Sequence, residues 1–403
     1  MTQIATGRRW LYLVLGVISM LFAGIIYGWS ILKSPFTETW DASQLAMNFT
    51  ITMTCFCLGG FVGARMSKAI GVMASTIIAG VLAAAGFVCA SILTNGAIWM
   101  LYISYGVMAG LGIGIAYNVV ISTVNAWFPD KKGFCSGCLM MGFGASSLVI
   151  GNLASNIMQA LGWQTAYRLL GLALGIVLIV TGLLLKKPDP GMAFPAAKSK
   201  KTQAVENFEI RDYTTAEMLG RKSFWMAFIS IGLLAAVGSS VISFAKDLAL
   251  SVGAAASLAT LLVGVLSVCN GLGRILTGAL FDLMGRRFTM MAANILTIAA
   301  AGVTLLAVAL GSLPLCIVGL CLVGLSYGSC PTVSSALVSA FYGGKYFPTN
   351  FSIMNFNLIG SSLMATACGS LLTASGGSYL PPFMLLLGLA CGALVLNFVI
   401  RKP

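Results

Sequence analysis

Apolar runs of about 20 residues follow one another along the chain, separated by short polar breaks that carry most of the charge. A helix of that length rises about 30 Å, the thickness of a bilayer's hydrocarbon core. The runs do not alternate in ten-residue segments, as barrel strands would. In lipid every backbone polar group must be bonded internally, so helices are the expected form. The pattern predicts twelve spans, at 10–33, 44–64, 71–93, 97–122, 135–159, 165–185, 223–245, 255–280, 288–310, 313–335, 350–373 and 380–400. The predicted fold class is an all-α membrane protein. The first run is too long for the apolar part of a signal peptide, and no small-residue cleavage site follows it, so it reads as the first span.

Residues 186–222 interrupt the pattern with a polar stretch of mixed charge that carries three prolines. It divides the chain into an N-terminal six-helix bundle (1–185), a linker (186–222) and a C-terminal six-helix bundle (223–403). The halves echo each other. "NAWFPDKKGF" at 125–134 matches "SAFYGGKYF" at 339–347, and "GARMSKAIG" at 63–71 takes the place of "GALFDLMGRR" at 278–287. The offsets, 214 and 215 residues, nearly agree. Two pairs at nearly one offset argue for duplication, and duplicated membrane bundles place a substrate site at the bilayer midplane between them.

The net charge of +13 invites a nucleic-acid reading. The distribution of charge argues against it. If Arg8 and Arg9 are cytoplasmic, all but four of the 23 basic residues share that side. Lys33, Arg168 and Lys246 fall opposite, and Arg274 lies within the membrane. The positive-inside rule expects this asymmetry and places both termini in the cytoplasm. The expected location is the plasma membrane, spanned many times, with lipid as surroundings and no nucleic acid as partner. The 11 cysteines lie mostly within spans. Cys135 and Cys138 have C-x-x-C spacing but no second pair and no His, since the chain contains none. Buried reduced thiols are expected there rather than zinc. No metal and no cofactor is implied.

Arg274 stands out in "NGLGRILTGALFDLMGRR" (270–287). An arginine at a helix centre costs about 2.5–3.5 kcal/mol on insertion scales, so it usually faces a cavity or a partner. Asp282 lies eight residues on, about 12 Å along a helix axis. With Asp282 at the membrane surface, Arg274 falls near mid-depth, where no carboxylate is available to neutralise it. A guanidinium stays charged and pairs with a carboxylate through two parallel hydrogen bonds. The missing partner is then an anionic substrate. The alternative is that Arg274 bonds helix carbonyls or Asn270, one turn back, and serves packing.

Gly278, Asp282, Gly285, Arg286 and Arg287 form a loop signature that resembles that of the major facilitator superfamily. In that family the aspartate caps a neighbouring helix and pairs with basic residues on the cytoplasmic side. The first-half copy departs, with Ser67 near the aspartate position. A narrower resemblance covers nearly the whole chain. "AGIIYGWS" (23–30), "GLGIGIAYN" (110–118), "WFPDKKG" (127–133), "DYTTAEML" (212–219) with Phe224-Trp225, "NGLGR" (270–274) and Tyr327-Gly-Ser-Cys-Pro331 together resemble the oxalate/formate antiporter family and its monocarboxylate-transporter relatives. The resemblance implies a secondary transporter of small carboxylates, with the substrate-binding arginine at Arg274. Oxalate-exchanging members also carry a lysine in the eleventh span. Here that span, "NFSIMNFNLIGSSLMATACGS" (350–370), has no cation, and Asn355 and Asn357 are the polar residues available. One fixed charge suits a monoanion such as lactate, pyruvate or formate, because a dianion would leave one charge poorly compensated in low dielectric.

Tyr27, Tyr117 and Tyr327, in the first, fourth and tenth spans, are candidates to line the pocket, with Asn118 adjacent and Trp29 a weaker candidate. Gly110, Gly112 and Gly114 imitate a dinucleotide loop but lack the preceding strand such a loop needs. Close helix packing through small residues is expected there, as at Gly142, Gly144, Ala145 and Ser146. Lys246 and Asp247 end the seventh span. They read either as a self-paired helix end or as a gate or proton site. The expectation is a monomeric transporter, with protons as a further partner. The rivals are an exchanger of oxalate-like dianions and a transport-derived carboxylate sensor, for which the short linker and C-terminal tail offer no signalling domain. A membrane enzyme would need clustered His, Asp or Glu, and none is visible.

Overall fold

The computed structural model describes residues 2–93, 98–128, 132–189, 211–343 and 346–400. Lys131, Lys345, Arg401, Lys402 and linker residues 190–210 lie outside them, as do the side chains of Lys132, Asp282 and Arg286. The loop signature is therefore described only at Gly278, Gly285 and Arg287.

Among the described residues the chain is helical, without strands, and twelve helices are long and apolar enough to cross a bilayer. They are α1 (Gly7–Phe36), α2 (Ala42–Ala69), α3 (Gly71–Ser91), α4 (Ile98–Ala126), α5 (Gly137–Leu161), α6 (Trp163–Leu184), α7 (Lys222–Ser251), α8 (Ala256–Phe281), α9 (Arg287–Leu310), α10 (Leu313–Tyr342), α11 (Thr349–Ala374) and α12 (Leu380–Val399). The twelve expected spans match these in order. α7 and α10 run about two turns further than the hydropathy pattern suggests, because their ends are buried within the bundle and not in lipid. Leu11, Val14, Ile18, Leu172, Ile176, Leu310 and Val395 are exposed, as lipid-facing side chains must be.

The packing repeats between halves. In the first half α1 packs on α5, α2 on α4, and α3 on α6. In the second, α7 packs on α11 and α12, and the α8–α9 hairpin packs on α10 and α12. The hairpin turns at Gly285, whose φ of 73° suits glycine. Close approach explains the glycine-rich motifs. A side chain at Gly114 would strike the Phe56 carbonyl, and one at Gly328 would strike that of Asn270. The 110–114 glycines are thus seats for α2 and α3, as expected.

The halves meet mainly through α2 against α11 and α5 against α8. On the face remote from the chain termini they are tied by hydroxyls. Ser43 bonds Ser370 at 2.8 Å, and Thr50 bonds Thr366 at 2.9 Å. Several helices depart from regular α-helix along their length. α1 tightens to a 3₁₀ turn over Gly24–Gly28, α7 breaks at Phe244, α10 carries Pro331, and α11 is interrupted at Asn355 and Phe356.

Candidate functional site

A cavity of about 70 Å³ lies between the halves and takes its walls from α1, α2, α4, α8, α10 and α11. A single water needs about 10–15 Å³ by this kind of measure, so the space holds several waters or a small molecule. Tyr27, Tyr117, Asn118, Arg274, Tyr327 and Asn355 all line it. Its lining runs from mid-depth toward the face that carries the termini, where Phe61, Phe351 and Ser352 complete it.

Arg274 is 6% exposed, and its Nε and Nη1 have no hydrogen-bond partner. Both polar atoms of the Asn270 amide are likewise unpartnered, so the two side chains do not bond each other. Among the described residues no carboxylate lies within ion-pair reach of Arg274. The Tyr117 hydroxyl lies beside the guanidinium. A buried cation with no ion-pair partner and two idle donors is costly, and an anion placed against the guanidinium would offset that cost.

The phenols sit in an aromatic frame. Phe143 stands 5.2 Å from Tyr27 and 5.1 Å from Tyr117, both edge-on. Phe56 meets Tyr117 at 5.1 Å, and Tyr27 meets Tyr327 across the interface at 5.9 Å. The 3₁₀ turn in α1 carries Tyr27. Tyr327 fits because Gly238 of α7 leaves room, since a side chain there would enter the ring. The Tyr327 hydroxyl is buried, with the Tyr27 hydroxyl beside it.

The helix break in α11 separates the two candidate asparagines. Asn355 lines the cavity, and its carbonyl accepts from the Cys57 thiol of α2 at 3.7 Å. Asn357 does not line it. It is buried against Gly232 of α7 and faces the bundle interior. Trp29 also serves structure, donating its indole N–H to the Leu45 carbonyl at 3.0 Å and packing on Tyr105. Phe56, Cys57 and Phe61 of α2 were not anticipated. The run "TCFCLGGF" carries no charge and no distinctive spacing, so no sequence signal marks them.

Away from the cavity, Asp247 does not pair with its neighbour Lys246. It takes Lys33 of α1 at 2.6 Å. Lys246 lines a separate surface cleft with Ser34, Gln159 and Trp163. In the first-half loop, Ser67 offers its backbone carbonyl to Lys187 at 3.1 Å. Ser67 stands near the position that the aspartate takes in the sequence of the second-half copy. No metal-binding cluster is present among the described residues.

Comparison with known proteins agrees with this architecture. The family model for the Major Facilitator Superfamily matches residues 11–246, and that for sugar (and other) transporters matches 196–400. An uncharacterised MFS-type transporter of Escherichia coli, YhjX, is 27% identical over 86% of this chain and 84% of its own length. The oxalate:formate antiporter of Oxalobacter formigenes is 30% identical over 70% of this chain and 66% of its own. Human monocarboxylate transporter 12 is 26% identical over 58% of this chain and 48% of its own. Among solved structures, the xylose transporter XylE of E. coli, in a partially occluded inward-open conformation, superposes with a TM-score of 0.72 at 11% identity over 98% of both chains. The nucleoside transporter NupG gives 0.73 at 12% over 98% of this chain and all of its own. These structural matches concern the fold. With twelve spanning helices in two similarly packed halves and a family match over more than half its length, the chain is a multi-pass membrane protein that belongs to the major facilitator superfamily of transporters.

Proposed function

We propose that this protein is a secondary active transporter of small carboxylate anions, foremost monocarboxylates of the lactate, pyruvate or formate type. It works by alternating access between its two halves. The observation that carries this reading is Arg274, a buried guanidinium with two idle donors in a small aromatic cavity shared by both halves. A guanidinium pairs with a carboxylate, and a cavity of this size suits a small anion. Tyr27, Tyr117 and Tyr327 are placed to bond the remaining carboxylate oxygens and exclude water. The single cation favours a monoanion over a dianion, because Asn355 stands in the cavity where a second charge would be needed. The likeness to monocarboxylate transporters supports the same substrate class.

The working orientation puts both termini in the cytoplasm of a plasma membrane, following the positive-inside asymmetry. The cavity then faces inward in this structure. The protein acts as a monomer, without cofactor, and protons enter with the substrate carboxylate or through a side chain. Exchange is the second reading. An unpaired Arg274 disfavours the crossing of the empty protein, and the oxalate:formate antiporter is among the similar proteins. Uptake of labelled L-lactate into proteoliposomes under an inside-alkaline gradient tests the first reading, and accumulation above equilibrium is expected. Absence of lactate entry together with oxalate counterflow would move the exchanger reading ahead. No movement of lactate, pyruvate, formate or oxalate would overturn the carboxylate assignment.

A further inference from the structure

A second recess, of about 340 Å³, opens on the face remote from the termini. Gly162, at φ 82°, turns the chain sharply from α5 into α6. That turn brings Trp163 beside the last turns of α5, where Ser155, Met158 and Gln159 line the same recess. Trp163 is held edge-on against Phe36 at 5.0 Å and Tyr167 at 5.9 Å. The second half contributes Lys246 of α7, which is half-buried. Asp247, the next residue, lies beyond ion-pair distance of it and is engaged by Lys33 at 2.6 Å. Among the described residues Lys246 has no ion-pair partner, and no carboxylate lines the recess. Ser155, Gln159 and Trp163 add a hydroxyl, an amide and an indole N–H to the lining. Leu153 and Leu161 of α5 are exposed as lipid-facing residues are. Ser155 and Gln159 each lie two residues, about 200° around the helix, from one of them. The recess therefore faces the seam between the halves, on the side of α5 away from lipid.

We infer that this recess is a second anion site, a station for a small carboxylate that arrives through water at the face remote from the termini. The inference deepens the carboxylate reading given above and rests on it. A half-buried ammonium without a counter-charge attracts anions, and low-dielectric walls focus its field. A carboxylate against Lys246 offsets the cost of desolvating it, and the neighbouring hydroxyl, amide and indole offer donors to the second oxygen. An ammonium is a point charge on a flexible stem and not a planar fork. The recess therefore suits brief capture, whereas Arg274 suits oriented binding. A lipid phosphate carries the same charge, but the exposed leucines put lipid on the other side of α5.

Acylation of lysines by sulfo-N-hydroxysuccinimide acetate, read by peptide mass spectrometry, tests the recess in the full chain in lipid nanodiscs. Arg274→Gln removes the central cation, so protection in that variant reports on the recess alone. L-lactate is expected to slow acylation of Lys246 saturably, about threefold at twice its Kd. Lys222, at the other end of α7, should be unaffected. Gln159→Leu and Trp163→Phe should each weaken the protection. If Arg274→Gln does not fold, the wild type gives the same readout, since the signal comes from Lys246 itself. Equal slowing by sodium chloride at the same ionic strength would overturn the site, because it would mean screening alone. Protection by phosphatidylglycerol in the disc, with nothing added by lactate, would also overturn it and assign Lys246 to a lipid phosphate. Absence of protection by lactate, pyruvate and formate would overturn it outright. Uptake of labelled lactate by the wild type reads the Arg274 assignment separately, so either one can fail while the other stands.

Discussion

In the first half of the molecule, Tyr27, Phe56 and Tyr117 turn rings toward the cavity and contribute no charge. In the second half, Arg274, Tyr327 and Asn355 bring a guanidinium, a phenol and an amide to the same space. The helices that carry them pack in the same plan in both halves. The difference lies in what each was free to become. Two similarly packed halves meet face to face, so a single cation at the seam serves both, and a second facing it would repel the first. The half without the charge contributes shape, closing an aromatic frame beside the guanidinium.

The largest expected effect is to remove the charge from the charged half. Arg274→Gln should lower carboxylate uptake about a hundredfold or more, with the protein still inserted and folded. Wild-type uptake by that variant would sink the assignment. Arg274→Lys keeps the charge but loses the planar fork, and should fall between the two. Next comes an attempt to give the seam a second cation. Asn355→Lys should shift competition toward oxalate-like dianions, whereas Asn357→Lys, pointed at α7, should instead destabilise the fold. An unchanged competition profile for Asn355→Lys would count against the one-cation argument.

A smaller effect tests whether the second half's phenol depends on the room left for it. Gly238→Ala forces a methyl into the Tyr327 ring and should cost about 1–3 kcal/mol, read as a lower Tm. In the aromatic half, Tyr117→Phe removes one hydroxyl beside the guanidinium and should raise KM about tenfold with little change in Tm.

The smallest effect lies in the segment that joins the halves. Thr214 caps the short helix Thr215–Leu219, with its backbone N–H and hydroxyl donating to Glu217 at 2.8 and 2.9 Å. These bonds, and Arg211 beside them, hold the Glu217 carboxyl below its ordinary range. A depressed carboxylate contributes stability that is full above its ordinary pKa and is lost as pH falls through the lowered value. Exchange at 214–220 should therefore be constant near neutral pH and rise on acidification. Glu217→Gln should show the faster exchange already at neutral pH and little further dependence.

The hydropathy pattern alone determined the twelve spans and the presence of one costly charge within the eighth. Each follows from local free energies of transfer, which depend on residue type and not on neighbours far along the chain. The tertiary structure decided which side chains meet. Asn355 and Asn357 are two residues apart, about 200° around a helix, so only one of them can face the cavity. The break at Asn355 and Phe356 selects which. The frame from α2 was invisible for the same reason, since Phe56 and Cys57 are ordinary apolar residues until rotation of the helix turns them inward. Lys33 and Asp247 stand far apart in sequence, each readable as a solvated helix end. Only the closing of one bundle against the other removes their water and makes them partners.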